Sequence, residues 1–373
     1  MRICRITKRY PPLIGGLENH VRSLSIQQAK NDNHVDVFIM FGKAEQADHP
    51  NLRVIQVPGS RLAKLFKSES AISIFSAICF FWKVSRFHKV HHYDIIHIHG
   101  DWVEANLARV LSWILKVPAV IHVHSGLNQS KLYKFFARRS FPHAGGVIVQ
   151  SSDLLKEMGS FGVPNSKIQQ LHSGIWYEQF KLSKNLTNEL PLRLIAIGRL
   201  HKMKGFGYLI TAVSQFANTD VTLDIAGEGP ERANLQKAAD ESNTTITLLG
   251  VVKHDQIPNL LSRYDAIVVP SVVLTGQTET TPTVILEAMA TGLPVIGSEI
   301  AGIKDIIKQN INGYLVPERD SDKLAQAINT MISSPDLTKK IRQNNRKISR
   351  NFDWSIIAKK VDMAYISSGA NLN

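Results

Sequence analysis

The sequence predicts an α/β chain of two Rossmann-like domains in tandem, each a doubly wound parallel sheet, facing across a cleft. Three observations predict it. Short Val- and Ile-rich runs recur with helix-length segments between them, the alternation restarts after Leu182, and 373 residues exceed what one core usually organises. The apolar runs are continuous rather than alternating, so helices must cover both faces of each sheet.

The first set of strands reads RICRIT (2–7), VDVFIM (35–40), LRVIQV (52–57), DIIHIHG (94–100), AVIHVH (119–124) and GVIVQS (146–151). The second reads LRLIAIG (192–198), TLDIAG (222–227), ITLLG (246–250), AIVVPS (266–271), PVIGS (294–298) and GYLVP (313–317). Between them KLSKNLTNELP is polar and closes on proline, as a linker does. The expected division is therefore 1–180, a linker at 181–191, 192–350, and a closing amphipathic helix with its tail at 351–373. In that last helix Phe352, Ile356, Ile357 and Met363 recur at roughly helical spacing.

Hydrophobic residues make up 44% and charged residues 20%, which excludes disordered and collagen-like classes. Two cysteines, Cys4 and Cys79, exclude a disulfide framework and a cysteine zinc site, and point to a reducing compartment. The start MRICRITKRYPP lacks an apolar core, so no signal peptide is expected. Residues 70–82 are uncharged, but a thirteen-residue helix covers only about 20 Å and is not expected to span a bilayer.

Lys and Arg outnumber Asp and Glu by 44 to 31, a net +13. Residues 1–180 carry 22 basic against 12 acidic side chains, so the excess is N-terminal and anionic partners are expected. A nucleic-acid binder would explain the charge, yet no recognition-helix, zinc-finger or RNP signature accompanies it. In 61–89, Arg61, Lys64, Lys67, Lys83, Arg86 and Lys89 mingle with Phe66, Phe80, Phe81, Trp82 and Phe87. That mixture suits a membrane surface, where cations meet headgroups and rings enter the interface. The plain alternative is a buried helix flanked by snorkelling cations.

Ligands of open parallel sheets bind beyond the carboxyl ends of the strands, so the chemistry is expected in strand-exit loops. IGRLHKMKGFG places Arg199 and Lys204 on such a loop running into a helix, where two cations and free N–H groups suit a diphosphate. A solvated basic turn is the alternative. Glu279 and Glu287 stand eight apart around Thr-Thr-Pro-Thr, with Pro282 in the first turn of a helix. A carboxylate on that helix can accept two hydroxyl hydrogen bonds, as a ribose diol offers. The two could instead form an acid/base couple, or Glu279 could be surface and Glu287 merely helical.

The ordered series G-R-L-x-x-x-K-G, A-G-E-G-P-E-R, P-S followed by Glu279 and Glu287, E-A-M-A-x-G-x-P-V and N-G-Y-L-V resembles GT-B glycosyltransferases of the GT4 type. PPLIGGLENHV resembles their first glycine-rich loop and FDWSIIA their closing helix, so the likeness covers nearly the whole chain. It implies a retaining hexosyltransferase that uses a UDP- or GDP-sugar and needs no metal or other cofactor. The implied acceptor is a lipid-linked polysaccharide, lipopolysaccharide or O-antigen precursor, met at the cytoplasmic face of the plasma membrane by a peripheral enzyme. Residue by residue, Arg199 and Lys204 are implied to bind the donor diphosphate, with Thr283 and Val284 at the helix start, and Glu287 the ribose. Glu279 is implied to reach the transferred sugar, and His124 to lie near the reacting carbon with Ser125 touching phosphate. Gly15 and Gly16 are implied to bring backbone N–H groups to that phosphate. Thr280, Thr281 and Pro282 replace the commoner Gly-Phe-Gly, and Ser173-Gly174 the usual Asn-Gly. An epimerase of the same fold, or a non-catalytic binding protein, are the competing functions.

Two further patterns compete with that implication. His97, His99, His122 and His124 form two H-x-H strands whose alternate residues share a face, a possible metal site, although no third ligand source is evident. Asp320-Ser321-Asp322 matches the metal-binding Asp-x-Asp of other glycosyltransferases, but it directly precedes an apolar helical run and reads as a helix cap. No metal is expected.

Overall fold

The computed structural model describes all residues except 14, 45–47, 67, 125–129, 181–189, 275–278, 280 and 371–373, and the side chain of Ala301. The chain divides into two compact units, Met1–Gly174 with Trp354–Asn373, and Ile175–Asp353. The division falls ahead of the polar segment read as a linker, because Ile175, Tyr177 and Phe180 are buried in the second unit's core. The closing segment is part of the first unit.

In the first unit the elements run β1 Arg2–Arg9, α1 Gly16–Lys30, β2 His34–Phe41, β3 Leu52–Gln56, α2 Ser60–Ala63, α3 Glu69–His91, β4 Ile95–His99, α4 Trp102–Leu115, β5 Ala119–Val123, α5 Lys131–Ser140, β6 Gly146–Val149, α6 Ser152–Ser160 and β7 Ile168–Gln170. The second unit contains β8 Leu192–Ile197, α7 Phe206–Val213, β9 Val221–Ala226, α8 Arg232–Asp240, β10 Ile246–Gly250, α9 Ile257–Leu261, β11 Ala266–Val269, α10 Thr283–Ala290, β12 Val295–Ser298, α11 Ala301–Ile306, β13 Gly313–Val316, α12 Ser321–Ser333 and α13 Pro335–Ser349. Helix α14, Trp354–Ser367, returns to the first unit.

Both sheets are wholly parallel. Their strand orders are β3-β2-β1-β4-β5-β6-β7 and β10-β9-β8-β11-β12-β13, so each chain path starts at the centre and reverses direction there. The reversal opens a crevice beyond the carboxyl ends of β1 and β4 in one unit, and of β8 and β11 in the other.

Helix α3 departs from the sequence expectation. It runs 23 residues rather than thirteen, because Lys83, Arg86 and Lys89 end the apolar run without ending the helix. By length and composition it could cross a membrane, so the argument from length falls away. Ser73, Ser76, Phe80 and Val84 are nevertheless buried on one face against the first unit's core, as in a covering helix. Ile74, Ile78 and Trp82 recur every fourth residue on the opposite face and are exposed, Trp82 by 69%. Helix α4 packs on α3 and exposes Trp113 by 73%, and α5 packs on α4 and exposes Leu132 and Phe135.

The buried stripe of α14 is Trp354, Ile357, Ala358, Val361, Ala364 and Tyr365. Met363, expected inward, is 65% exposed; the stripe is set by small and aromatic residues that the apolar spacing alone passed over.

Candidate functional site

The second unit assembles its polar residues at its crevice. The loop after β8 carries Arg199 and Lys204 into α7, and the stretch after β11 carries Glu279 towards α10. Gly205 fixes the join. It sits at φ 66°, and a Cβ there would lie 1.9 Å from the Pro270 carbonyl oxygen just past β11, so only glycine lets the two exits touch. The Val272 amide then donates to the Met203 carbonyl at 2.8 Å. Gly227, after β9, closes the other side, since its Cβ would lie 1.9 Å from the Gly198 carbonyl oxygen.

Held this way, the Lys204 ammonium donates to the Glu279 carboxylate. Both side chains are mostly covered, 19% and 10% exposed, so the pair is screened less than a surface bridge. Arg199 is exposed at the exit of β8 and makes no ion pair with a described residue. Thr283 and Val284 open α10, whose N-cap Pro282 contributes no side-chain cap. Pro282 is thus one position earlier than expected, and the first amides of α10 face outward along its dipole. Glu287 lies one turn in, buried. Burial raises its pKa, opposed by His254, whose Nδ1 is 4.0 Å from its Oε1. A buried carboxylate without a close cation is poised to accept hydroxyl donors.

Asp320 caps α12, accepting from the Lys323 amide at 2.8 Å, and Asp322 accepts from Gln215.

The first unit's strand exits carry histidines. Arg5, His97, Val120 and, one pair further out, His99 and His122 stand in register across β1, β4 and β5, so the four polar side chains share a face. His99 and His122 stack at 5.2 Å, His122 and His124 at 4.1 Å, and His97 and His99 at 4.3 Å. The fifth ring comes from α1: His20 lies 4.9 Å from His122 and 4.7 Å from His124. The sequence reading missed His20, although it follows the Gly15-Gly16 turn and shares the buried side of α1 with Val21, Leu24 and Gln28. Burial lowers the pKa of all five, His124 to about 3, so they are neutral. Arg5 is fully buried beside them, donating to Ser25 at 2.6 Å, to Tyr365 of α14 at 3.0 Å and to Gln28.

A Cβ on Gly16 would meet no described residue within 4 Å beyond its chain neighbours and its own helix, so no close approach among the described residues requires that glycine. Gly15 differs, because its Cβ would meet the Glu18 carboxylate. Glu18 already stands at the start of α1, paired with Arg9 at 2.8 Å. Ser125 and Lys67 lie outside the described residues.

Two family descriptions match consecutive parts of the chain: "Glycosyltransferase Family 4" over residues 14–178 and "Glycosyl transferases group 1" over 178–348. The chain belongs to the GT4-type glycosyltransferases of GT-B fold. An uncharacterized glycosyltransferase of Methanocaldococcus jannaschii is 28% identical to this GT4-type chain, over 98% of each. The amylovoran biosynthesis glycosyltransferase AmsK of Erwinia amylovora is 33% identical over 44% of this chain and 42% of its own. Among solved structures, Anabaena HepE in complex with UDP-glucose superposes with a TM-score of 0.74 at 21% identity, over 98% of this chain and all of that one. The glycosyltransferase family thus has polysaccharide-biosynthesis members among the relatives of this chain.

Proposed function

We propose that this glycosyltransferase moves a hexose-type sugar, with retention of configuration, from a UDP- or GDP-sugar to a lipid-linked polysaccharide precursor at a membrane surface. The observation that carries the reading is the meeting of Lys204 and Glu279 at the crevice of the second sheet, with buried Glu287 one turn into the helix that follows. Such a site divides its labour. Lys204, exposed Arg199 and the uncapped amides of Thr283 and Val284 offset the charge that grows on a departing diphosphate, without a divalent ion. Glu287 accepts the ribose hydroxyls. Glu279, oriented by Lys204, accepts hydroxyls of the sugar as its ring becomes cationic, a contact that strengthens in the transition state. In the first unit His124 is a neutral hydrogen-bonding group, its pKa lowered to about 3 by burial. The UDP-glucose bound by the Anabaena neighbour supports a nucleotide-sugar donor, and AmsK supports a polysaccharide product.

The outer helices supply the membrane side of the proposal. Ile74, Ile78 and Trp82 on α3, Trp113 on α4, and Leu132 and Phe135 on α5 are exposed apolar groups. Lys83, Arg86, Lys131, Lys134 and Arg138 stand among them in the sequence, the composition of an interfacial surface. Turnover of a panel of UDP- and GDP-sugars, with the anomeric configuration of the product read by proton NMR, tests the reading. Release of a sugar with retained configuration from one of them is expected, and an inverted product or no donor turnover overturns it.

A further inference from the structure

We propose that His20, His99, His122 and His124 form a binding site for one late first-row divalent metal ion, zinc or cobalt, built entirely within the first unit. One ring nitrogen from each of the four lies within 4.8 Å of the others. In a tetrahedral site with metal–nitrogen bonds of about 2.0 to 2.1 Å, ligand atoms stand about 3.3 Å apart, so modest ring rotations close the cage. The donor set is all imidazole, which suits zinc, cobalt, nickel and copper over magnesium or calcium.

Unsatisfied nitrogen atoms give the independent argument. His20 Nε2, His99 Nε2 and both nitrogens of His122 are buried without a hydrogen-bond partner among the described residues. Orphaned polar atoms of this kind are rare in native proteins, and each requires a reason. A metal ion at the centre of the four rings satisfies one on each of His20, His99 and His122. The outer shell is in place for His20, whose Nδ1 is 2.8 Å from Ser173 Oγ, so that Nε2 is the atom left for coordination. His99 Nδ1 and His124 Nε2 are 2.8 Å apart, and His124 would give up that contact on turning to the ion, while His99 coordinates through its Nε2. His124 is the partly exposed member and gives the ion its entry. His97 stands outside the four, its Nδ1 2.6 Å from the Tyr365 hydroxyl. With no carboxylate among the ligands, and Arg5 Nη2 3.4 Å from His97, the ion keeps its double charge and the site binds more weakly than thiolate or carboxylate sites.

Occupancy would engage His124, so zinc should inhibit transfer. That consequence rests on the proposed function, whereas binding does not.

The test is titration of untagged, full-length, metal-free protein with cobalt(II), followed by its visible ligand-field bands, and with zinc by calorimetry. One equivalent with the intense bands of a tetrahedral site is expected. Affinity should fall by at least the roughly 10- to 100-fold that loss of an outer-shell partner causes in both His20→Ala and His122→Gln, each checked for native circular dichroism. The histidines at the end of α3, His92 exposed and His88 and His91 half-buried, are the control, and the His88→Ala/His91→Ala/His92→Ala variant should bind as the wild type does. Should the buried variants fail to fold, X-ray absorption of the zinc-loaded wild type decides, with four imidazole nitrogens expected. Absence of saturable binding, binding lost only in the α3 variant, or a spectrum dominated by water and carboxylate oxygen each overturns the site.

Discussion

The two units share one strand order around the crevice, 3-2-1-4-5-6, yet furnish it with opposite electrostatics. At the first crevice stand five imidazoles stripped of charge by burial, beside one buried guanidinium. At the second stand a lysine–glutamate pair and a buried carboxylate whose pKa is raised. Topology therefore decides where a ligand can sit, while the side chains at the strand ends decide what the crevice can hold. A neutral, crowded crevice suits an uncharged hydroxyl or a metal ion; one with cations and helix amides suits a diphosphate.

The contrast predicts opposite responses to acid. The folded pKa of each of the five histidines lies below its unfolded value, so the unfolded chain binds more protons and stability is lost as pH falls through about 6.5. Each contributes up to about 1.4 kcal/mol per pH unit, so several together make the first unit strongly acid-labile. Glu287 has the reverse sign, since its folded pKa is the higher one and acid relieves the cost of its buried charge. Hydrogen exchange followed by mass spectrometry at pH 7 and pH 5 should show α1, β4 and β5 losing protection before β8, β11 and α10. Equal loss in both units would break the comparison.

The next largest effect falls on turnover. Lys204→Ala removes a charge-assisted bond of about 1.5 to 3 kcal/mol and leaves Glu279 unpaired, so kcat should fall by about 10- to 150-fold with the fold intact. Glu287→Ala should weaken nucleotide binding by about 1 to 3 kcal/mol, measured by calorimetry, whereas Glu279→Ala should chiefly lower kcat. Nucleotide affinity of the wild type should also fall on acidification at a higher pH than an exposed carboxylate would give, and Glu287→Gln should flatten that dependence. The smallest effect per residue is at the membrane face. Lys64→Gln, Lys83→Gln and Arg86→Gln should each cost about 1 kcal/mol of binding to anionic vesicles and spare donor hydrolysis. Unchanged co-sedimentation of the triple variant would remove that surface.

Much of this was legible in the sequence. The β/α alternation gave every strand but β7 within a residue or two, because a parallel sheet covered on both faces needs unbroken apolar runs, whereas β7 is a three-residue edge strand, Ile-Gln-Gln, without one. The ordered motifs gave Lys204, Glu279 and Glu287, each tied to a strand exit or helix start. What escaped depended on three-dimensional neighbours. His20 belongs to the histidine cluster only because the start of α1 brings its ring against His122 and His124, which no spacing reports. The length of α3 escaped because charged residues end an apolar run but continue a helix, and the inward face of α14 because alanine carries no hydrophobic signal there.

The central claim is that the second unit's crevice neutralises a diphosphate with its own residues. Donor turnover in excess EDTA, with Lys204→Ala and the Asp320→Ala/Asp322→Ala variant beside the wild type, tests it most directly. The account predicts full wild-type activity in the chelator, a Lys204 variant slowed by at least about tenfold, and an aspartate variant that still turns over. Activity abolished by EDTA, restored by magnesium or manganese and lost in the aspartate variant would contradict it.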